Sequence, residues 1–224
     1  LTQDYLKSKN IEVDLKTFDK KMLDQKERAR HSWKGTGDIQ DDSIWFKITS
    51  KIDPTEFLGY NDLEAECQII TIVSEGQNVN KIKNDQEAVI ILNQTPFYGE
   101  SGGQVGDQGC FENDNFKFEV TNTTKIFGKY FLHTGKVTIG SCELNDTIKA
   151  TVNSKNRDLI KYNHSSTHLL HAALRKILGK HVTQKGSLVN SEKLRFDFSH
   201  NNPINDEQFS SIEDIVNYQI QKDG

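Results

Sequence analysis

The sequence lacks the features that direct a protein to a membrane. No stretch approaches the roughly 20 apolar residues that a membrane-spanning helix needs. The N-terminus, LTQDYLKSKN, lacks the charged-then-apolar order of a signal peptide. The chain has 224 residues and a mean hydropathy of −0.66. We therefore expect a cytoplasmic globular protein without a membrane partner, with two modest cores rather than one large core.

Cysteine is also scarce. Cys67, Cys110 and Cys142 are odd in number and far apart, and they match no metal-ligand spacing. We expect reduced thiols inside or beside strands rather than disulfides.

Charge is distributed unevenly behind a net value of −4. Residues 155–200 carry nine Lys or Arg side chains against three Asp or Glu, whereas the segments on both sides are acidic. The same basic segment holds five of the seven histidines. A polyanionic partner would explain this segment, and a solvated face with chance clustering is the alternative.

The spacing of apolar residues changes along the chain. Residues 1–34 contain Leu15, Phe18 and Met22 at helical spacing, and KGTGD at 34–38 predicts a linker or domain seam. From about 43 to 152, short runs rich in Ile, Val, Phe and Thr are separated by turn formers. They predict the strands of an antiparallel barrel or sandwich, and the runs are SIWFKI, LEAECQIITIVS, EAVIILNQ, CFENDNFKFEVTNTTKIFGKYFLHTG and DTIKATVN.

After Asn156 the apolar period becomes helical. The segment RDLIKYNHSSTHLLHAALRKIL predicts a helix that ends at Gly179. A strand pair, HVTQKGSLVN and KLRFDFSH, follows, and NDEQFSSIEDIVNYQIQK predicts a last helix with an Asn or Asp cap. We expect an incomplete second domain, because no closing element follows this helix.

Three histidines share one face of the helix predicted after Asn156. At about 100° per residue, His164, His168 and His171 lie within about 60° of one another, and the leucine-rich face centres about 150° away. Imidazoles at positions i and i+4 suit one metal ion. A zinc-protease motif has a glutamate between its two histidines, and no glutamate lies between His164 and His168. No Cys-x-x-x-His pair follows them either. Half of a metal site and a buried polar network both fit this pattern.

The segment TPFYGESGGQVGDQG, residues 95–109, is rich in glycine. It has neither Walker A order nor the Rossmann fingerprint, so we expect no nucleotide site here. Two interpretations stay open: a tight hairpin loop whose glycines supply positive φ angles, and a loop whose backbone approaches a ligand closely.

Three blocks, in this order, resemble the alanyl-tRNA synthetase family: TPFYGESGGQVGDQG, NHSSTHLLHAALRKILGKHVTQKGSLV and KLRFDFSH. Free-standing alanyl-tRNA editing proteins share these blocks. The synthetases are favoured because VDLKTFDKKMLDQKERAR resembles the segment that leaves their tRNA-recognition helices, and PTEFLGYNDLEAEC resembles the start of their barrel. The resemblance covers essentially the whole chain.

The resemblance implies an α+β fold in three parts. These are the tail of a helical tRNA-recognition region with a linker at 1–40, an antiparallel β-barrel similar to a translation-factor domain at 41–155, and the first part of an α+β editing domain at 156–224. It implies a ligase that attaches alanine to tRNA(Ala) with ATP and hydrolyses tRNA(Ala) mischarged with serine or glycine. The aminoacylation domain, with its ATP and Mg²⁺, is expected before Leu1, so the chain alone is not expected to make alanyl-tRNA.

The resemblance also implies site residues. His164 and His168 would be ligands of one Zn²⁺, and a Cys-x-x-x-His pair beyond Gly224 would complete its site. Thr167 and Gln184 would line the editing pocket, where a hydroxyl and an amide suit the polar side chain of serine. Without the resemblance, Gln184 is interpreted as an exposed strand residue.

Other functions stay open at this point. A free-standing editing hydrolase would begin near the barrel, and a non-catalytic RNA-binding module would hold its partner with the barrel and the basic segment. His171 and Arg175 extend the histidine face, where they would support the pocket, meet RNA or be ordinary surface residues. No residue stands out as a general base, and we expect zinc to position the aminoacyl end rather than activate water.

Overall fold

The structure, a computed structural model, describes Lys21 and residues 42–222. The described residues after Asp42 form one compact unit. Apart from Lys21, which is helical, the helix predicted over residues 1–34 and the KGTGD seam lie outside the described residues. The elements of residues 42–222 are α1 (Asp42–Thr49), β1 (Glu56–Phe57), β2 (Glu64–Ser74), β3 (Gln77–Val79), β4 (Lys81–Lys83), β5 (Glu87–Leu92), β6 (Gln94–Thr95), β7 (Gly109–Asn113), β8 (Phe116–Ile126), β9 (Tyr130–Glu143), β10 (Thr147–Val152), α2 (Ser154–Leu178), β11 (Gln184–Val189), β12 (Leu194–Phe198) and α3 (Asp206–Lys222).

Six antiparallel strands close into a barrel. Their order is β2, β5, β9, β8, β7 and β10, and β10 pairs with β2 to complete the ring. Strand β3 extends the sheet from β2, and β4 pairs with β9. The α+β class and the antiparallel barrel are thus confirmed. The similarity to a translation-factor domain and the domain boundary at residue 155 stay predictions.

The barrel interior is aliphatic and aromatic. Along β8, Phe116, Phe118 and Val120 are buried, while the residues between them are exposed. This is the period of two that a strand with one buried face requires. Phe118 stacks on Phe111 of the neighbouring strand with ring centroids 5.8 Å apart. The alternating runs of the sequence therefore form strands because one side of each faces this core.

The three cysteines are free thiols within strands β2, β7 and β9, as predicted. Burial, together with nearby carboxylates, raises the pKa of both Cys67 and Cys142 to about 12. Both thiols therefore stay protonated at neutral pH and act as small apolar groups of the core.

The predicted strand SIWFKI is wrong, because this segment forms helix α1. Trp45 and Ile48 are buried and pack against Val73, Ile91 and Leu132 of the barrel. The two residues between them are exposed. Buried positions three residues apart belong to one helix face, whereas a strand would bury every second residue. The aromatic and β-branched composition reflects packing on the barrel wall and not strand pairing.

Helix α2 begins and ends with recognisable caps. The Asn153 side chain accepts a hydrogen bond from the backbone N–H of Asn156 at 3.1 Å, so the helix starts slightly earlier than predicted. It ends at Leu178, and Gly179 follows with a positive φ of 117°, as the sequence predicted. Within the described residues, no helix combines the length and the apolar character that crossing a bilayer requires.

Helices α2 and α3 and the β11–β12 hairpin enclose a second apolar core. The strand pair and the last helix are confirmed. Asn205 caps α3 reciprocally with Gln208: each backbone N–H donates to the other residue's side-chain oxygen, at 3.1 and 2.8 Å. The buried residues of this core are Ala173, Leu174, Leu178, Val182 and Ile212.

A buried ion pair joins α2 to the glycine-rich loop. Arg157 is 8% exposed and Asp107 is 1% exposed. Nε of Arg157 donates to both carboxylate oxygens of Asp107 at 2.9 Å, and its two Nη atoms donate to the carbonyls of Gly59 and Pro96 at 3.1 and 2.9 Å. The backbone N–H of Tyr98 also donates to Asp107, at 2.6 Å. The first turn of α2 is therefore fixed against the barrel.

His133 lies entirely inside the barrel. Its Nδ1 is 2.9 Å from the carbonyl oxygen of Ile90, and its Nε2 is 2.9 Å from the hydroxyl oxygen of Thr95. The carbonyl can only accept, so Nδ1 carries the hydrogen and Nε2 accepts from the hydroxyl. Burial lowers the pKa of His133 to about 4, against a small opposing effect of the hydrogen bond to Ile90.

We expect His133 to make the fold sensitive to acid. The pKa in the folded state is below the ordinary value of about 6.5, so the unfolded chain binds the proton more tightly. The stabilising contribution is complete above pH 6.5 and is lost as the pH falls through 4. The difference of about 2.5 units between the unfolded and folded pKa values corresponds to about 3 kcal/mol of unfolding free energy. Urea unfolding between pH 7 and pH 4 measures this slope.

The variant His133→Gln is the control for the acid sensitivity. Glutamine keeps a donor and an acceptor and does not titrate, so its stability should depend less on pH over the same interval. Equal slopes for the variant and the wild-type protein would show that other groups cause the acid sensitivity.

Candidate functional site

A small cleft with both polar and apolar side chains in its lining lies where α2, β11, β12 and the glycine-rich loop meet. Its volume is about 120 Å³. The four site residues named from the sequence, His164, Thr167, His168 and Gln184, all line it. Drug-sized ligands need roughly 300 Å³ or more, so the cleft suits a small polar group. The other lining residues are Gly102, His171, Ser187, Val189 and Phe196.

His164 and His168 present two nitrogen atoms to this cleft. They lie one turn apart on α2, and their Nε2 atoms are 3.1 Å apart. Two ligands of a tetrahedral ion, each about 2.05 Å from it, lie about 3.3 Å apart, so the two lone pairs can reach one ion after small ring rotations. Both histidines are exposed, whereas Ala173 and Leu174 are buried. These two rings therefore lie on a face separate from the leucine-rich interior, as predicted.

Gln104 of the glycine-rich loop contacts the first of these imidazoles. Its Oε1 lies 2.7 Å from Nδ1 of His164. Gln104 is only 9% exposed, so its side chain occupies a defined place. An amide oxygen accepts hydrogen bonds and cannot donate them. The contact therefore places the ring hydrogen of His164 on Nδ1.

The backbone of the glycine-rich loop pairs with β11. Val105 N donates to Val189 O at 3.0 Å, and Val189 N donates to Gly103 O at 2.8 Å. Gly103 has a φ of +87°, and a Cβ there would overlap the backbone oxygen of Ser187. The positive φ expected of these glycines is present, and close approach to a ligand stays a prediction. The close approach at Gly103 is to another strand of the same protein.

Thr167 and Gln184 keep hydrogen-bonding capacity on the cleft side. The hydroxyl of Thr167, which is 8% exposed, donates to the carbonyl of Asn163 at 2.9 Å. Its oxygen is then available as an acceptor. Gln184, an exposed residue at the start of β11, donates from Nε2 to Oγ of Ser187 at 3.2 Å. Its Oε1 and second amide hydrogen are available to a ligand.

His171 extends the cleft, and Arg175 does not line it. Nε2 of His171 is buried and has no hydrogen-bond partner among the described residues. The ring packs against Phe196 with centroids 5.1 Å apart. A buried polar atom beside a cleft is available to a ligand. Arg175 is exposed on the surface of α2.

The cleft contains two imidazoles of the kind that hold metal ions in proteins. A tetrahedral zinc site uses four ligands, and the two imidazoles would provide two of them. In the part of the chain that the structure describes, no group of three or more His, Cys, Asp or Glu side chains is arranged to hold a metal ion. Any ion held by His164 and His168 would need water or residues outside this part as further ligands.

The charged side chains of the basic segment differ from those of a depression on the barrel. Lys161, Arg175 and Lys185 are exposed residues of the basic segment that contains the cleft. A larger depression of about 510 Å³ on the barrel is lined by four acidic side chains, and Lys149 is the basic residue in its lining. Clustered positive charge favours anionic groups, and clustered carboxylates disfavour them. The acidic residues of the depression are Glu64, Glu66, Glu112 and Asp114.

Three polar residues of the site area were not identified from the sequence. Gln104 and Ser187 connect the glycine-rich loop to the cleft, and Asp107 pairs with Arg157. The only signal for them was the glycine content of the loop, which predicts close approach but not the partner. Ser187 donates to the carbonyl of Gly102 at 3.2 Å, so it links that loop to Gln184.

Comparison with known proteins gives a family and a group of relatives. The family model described as tRNA synthetases class II (A) matches residues 1–156. An alanine–tRNA ligase from Parvibaculum lavamentivorans is 46% identical over 223 residues, which are 99% of this chain and 25% of that protein.

Two further relatives with this name give the same result. The protein from Nitrobacter winogradskyi is 46% identical over 224 residues, covering 100% of this chain and 25% of its own length. The protein from Rhodopseudomonas palustris is 46% identical over 217 residues, covering 97% of this chain and 24% of its own length. The chain thus spans about a quarter of the length of the curated relatives it matches. Apart from Gly102, the cleft residues lie after the family match, and all of them lie within the region shared with these relatives.

Proposed function

Because the chain belongs to the class II (A) tRNA synthetases, we propose that it is part of an alanine–tRNA ligase and that its cleft hydrolyses tRNA(Ala) mischarged with serine or glycine. Similarity to alanine–tRNA ligases along the whole chain supports the first half of this proposal. The aminoacylation step, with alanine, ATP and Mg²⁺, would belong to residues outside this chain, in a cytoplasmic enzyme. The partner of the cleft is then the aminoacylated end of tRNA(Ala).

The proposed hydrolysis of mischarged tRNA(Ala) rests on the side chains that line the cleft. Two imidazoles, a buried threonine and a glutamine meet in about 120 Å³. A pocket made for a small apolar side chain rejects a substrate with one extra hydroxyl by only about a hundredfold. A second, polar pocket discriminates in the opposite direction, because serine pairs with its polar groups and alanine leaves them unpaired. Rejection of glycine does not follow from this argument and rests on the family resemblance.

His164 and His168 are the proposed ligands of one zinc ion. Their donor atoms fit, since two imidazole nitrogens 3.1 Å apart match an edge of a tetrahedral site. When bound, zinc would supply a Lewis acid that positions the aminoacyl end. Two positions of the coordination shell remain for ligands outside the described residues.

Thr167 and Gln184 are the proposed contacts of the amino acid. The Thr167 hydroxyl already donates to Asn163, so its oxygen accepts from the serine hydroxyl or the ammonium group. Gln184 is held by Ser187 and offers one N–H and one carbonyl oxygen. Together these groups orient the substrate while water attacks the ester, and the described residues contain no clear general base.

Replacing Gln184 with alanine in the full-length protein should slow the deacylation of seryl-tRNA(Ala) by about tenfold. One net hydrogen bond is worth about 1–1.5 kcal/mol, and 1.4 kcal/mol corresponds to a factor of ten. The release of serine from purified mischarged tRNA measures the rate.

The matched control is Gln77→Ala, which removes an exposed glutamine of barrel strand β3. This variant should deacylate at the wild-type rate. Equal rates for Gln184→Ala and Gln77→Ala would remove Gln184 from the pocket. Salt-dependent binding of tRNA without any hydrolysis by the full-length protein would instead indicate a non-catalytic RNA-binding function.

A further inference from the structure

The hydrogen bond between Gln104 of the glycine-rich loop and His164 of α2 determines which ring nitrogen of His164 is free to bind a metal ion. Oε1 of Gln104 lies 2.7 Å from Nδ1 of His164, and Nε2 of the same ring faces Nε2 of His168. In a neutral imidazole, one nitrogen carries the hydrogen and the other carries the lone pair. Because an amide oxygen accepts only, the hydrogen lies on Nδ1. The lone pair of His164 is then on the nitrogen that faces His168.

We propose that Gln104 is a positioning residue that holds the His164 ring in the tautomer and orientation needed to bind a metal ion through Nε2. The inference rests on the proposed function, in which His164 and His168 hold zinc. In metal sites, a partner on the second imidazole nitrogen fixes the ring and increases the basicity of the ligand. Gln104 occupies this place and reaches it from the barrel, outside the helix that carries the ligands.

Burial and backbone hydrogen bonds restrain Gln104 in the position from which it orients the His164 ring. It is 9% exposed, and its backbone exchanges hydrogen bonds with Ser101 at 3.0 and 3.2 Å. Its backbone also forms a parallel bridge with Val189 at the end of β11. The neighbouring Gly103 permits this approach, because a Cβ there would overlap Ser187. The backbone contacts fix the start of the side chain, and its burial restricts the remaining torsions before the amide orients the ring.

The test compares three variants in the full-length protein. Gln104→Leu keeps a similar volume and removes the acceptor, and Gln104→Glu keeps an acceptor oxygen at the same place. Gln108→Leu is the matched control, because Gln108 is an exposed glutamine of the same loop. Its side chain donates to the carbonyl of Thr121 and not to His164 or His168. The dissociation constant of Zn²⁺ is measured by competition with a chromophoric chelator. The visible spectrum of the Co²⁺-substituted protein reports the geometry of the site.

We expect Gln104→Leu to weaken Zn²⁺ binding by about ten- to a hundredfold, the usual effect of losing such a partner. Gln104→Glu should bind within about threefold of the wild-type protein, which shows that the acceptor and not the overall loop structure is responsible. Gln108→Leu should leave the dissociation constant unchanged.

Three results would overturn this inference. They are wild-type affinity in Gln104→Leu, equal losses in Gln104→Leu and Gln104→Glu, and absence of zinc binding by the wild-type protein. Failure of the proposed function is distinguishable from all three. In that case, seryl-tRNA(Ala) is not hydrolysed or its hydrolysis does not depend on Gln184, whatever the metal affinity of the Gln104 variants.

Discussion

Replacing Arg157 with leucine should destabilise the junction between α2 and the barrel by about 3–5 kcal/mol, the usual cost of removing one partner from a buried ion pair. Asp107 is 1% exposed and would lose its counterion. The carbonyls of Gly59 and Pro96 would also lose the Arg157 donors. Each of these acceptors adds to the cost, because its hydrogen bond to the guanidinium is lost.

Amide hydrogen exchange in the full-length protein measures this effect locally. Peptides from the first turns of α2 and from the glycine-rich loop should exchange about 140- to 3,700-fold faster, since 1.4 kcal/mol corresponds to a factor of ten. The cleft should open with them, because Gln104 and Asp107 belong to the same loop. Zinc binding by Arg157→Leu should therefore weaken as well.

The matched control for Arg157 is Arg195→Leu. Arg195 also pairs with an aspartate, Asp197, at 3.2 Å, but the two side chains are 64% and 46% exposed. Exposed pairs contribute about 0–1 kcal/mol, so exchange should change little. Within the buried pair, the double variant Arg157→Leu/Asp107→Leu should be less destabilised than the sum of the single changes. Equal effects at the buried and exposed pairs would contradict the assignment of Arg157 as the anchor of α2.

The secondary structure was predictable where one element has one buried face. The alternating runs gave the barrel strands, and the helical period gave α2 and α3, because both signals are local. The closure of the barrel was not predictable, since alternation does not specify which strands pair or in what register. The segment SIWFKI was assigned wrongly because its composition is typical of strands, while its burial spacing, set by Trp45 and Ile48, is helical.

The part of the site that lies on one helix face was also predictable, because helical spacing is a local signal. His164 and His168 are neighbours within one helix, so their common face follows from the period. The prediction that they are ligands, and the selection of Thr167 and Gln184, came from the family resemblance, and comparison with alanine–tRNA ligases confirms that resemblance. The contact of Gln104 with His164 joins residues 60 positions apart. No periodic signal connects a loop residue with a helix face at that separation.

Replacing His168 with alanine should weaken zinc binding by the full-length protein by about a hundredfold or more. Zinc sites with four protein ligands bind with about 10–16 kcal/mol, which is about 2.5–4 kcal/mol for each ligand. The loss of one ligand thus costs about two to three factors of ten. Deacylation of seryl-tRNA(Ala) should fall in parallel if the ion positions the aminoacyl end. Chelator competition and the rate of serine release measure the two effects.

A second close imidazole pair in residues 42–222 provides the control. Nε2 of His181 lies 2.9 Å from Nδ1 of His200, beside the β11–β12 hairpin and outside the lining of the cleft. His181→Ala is the same chemical change in the same compact unit, and it should leave both zinc affinity and deacylation unchanged. Loss of zinc in His181→Ala with retention in His168→Ala would assign the metal to the other pair. If His168→Ala loses zinc and keeps its hydrolysis rate, deacylation proceeds without the ion. Hydrolysis would then be assigned to the polar groups of the cleft.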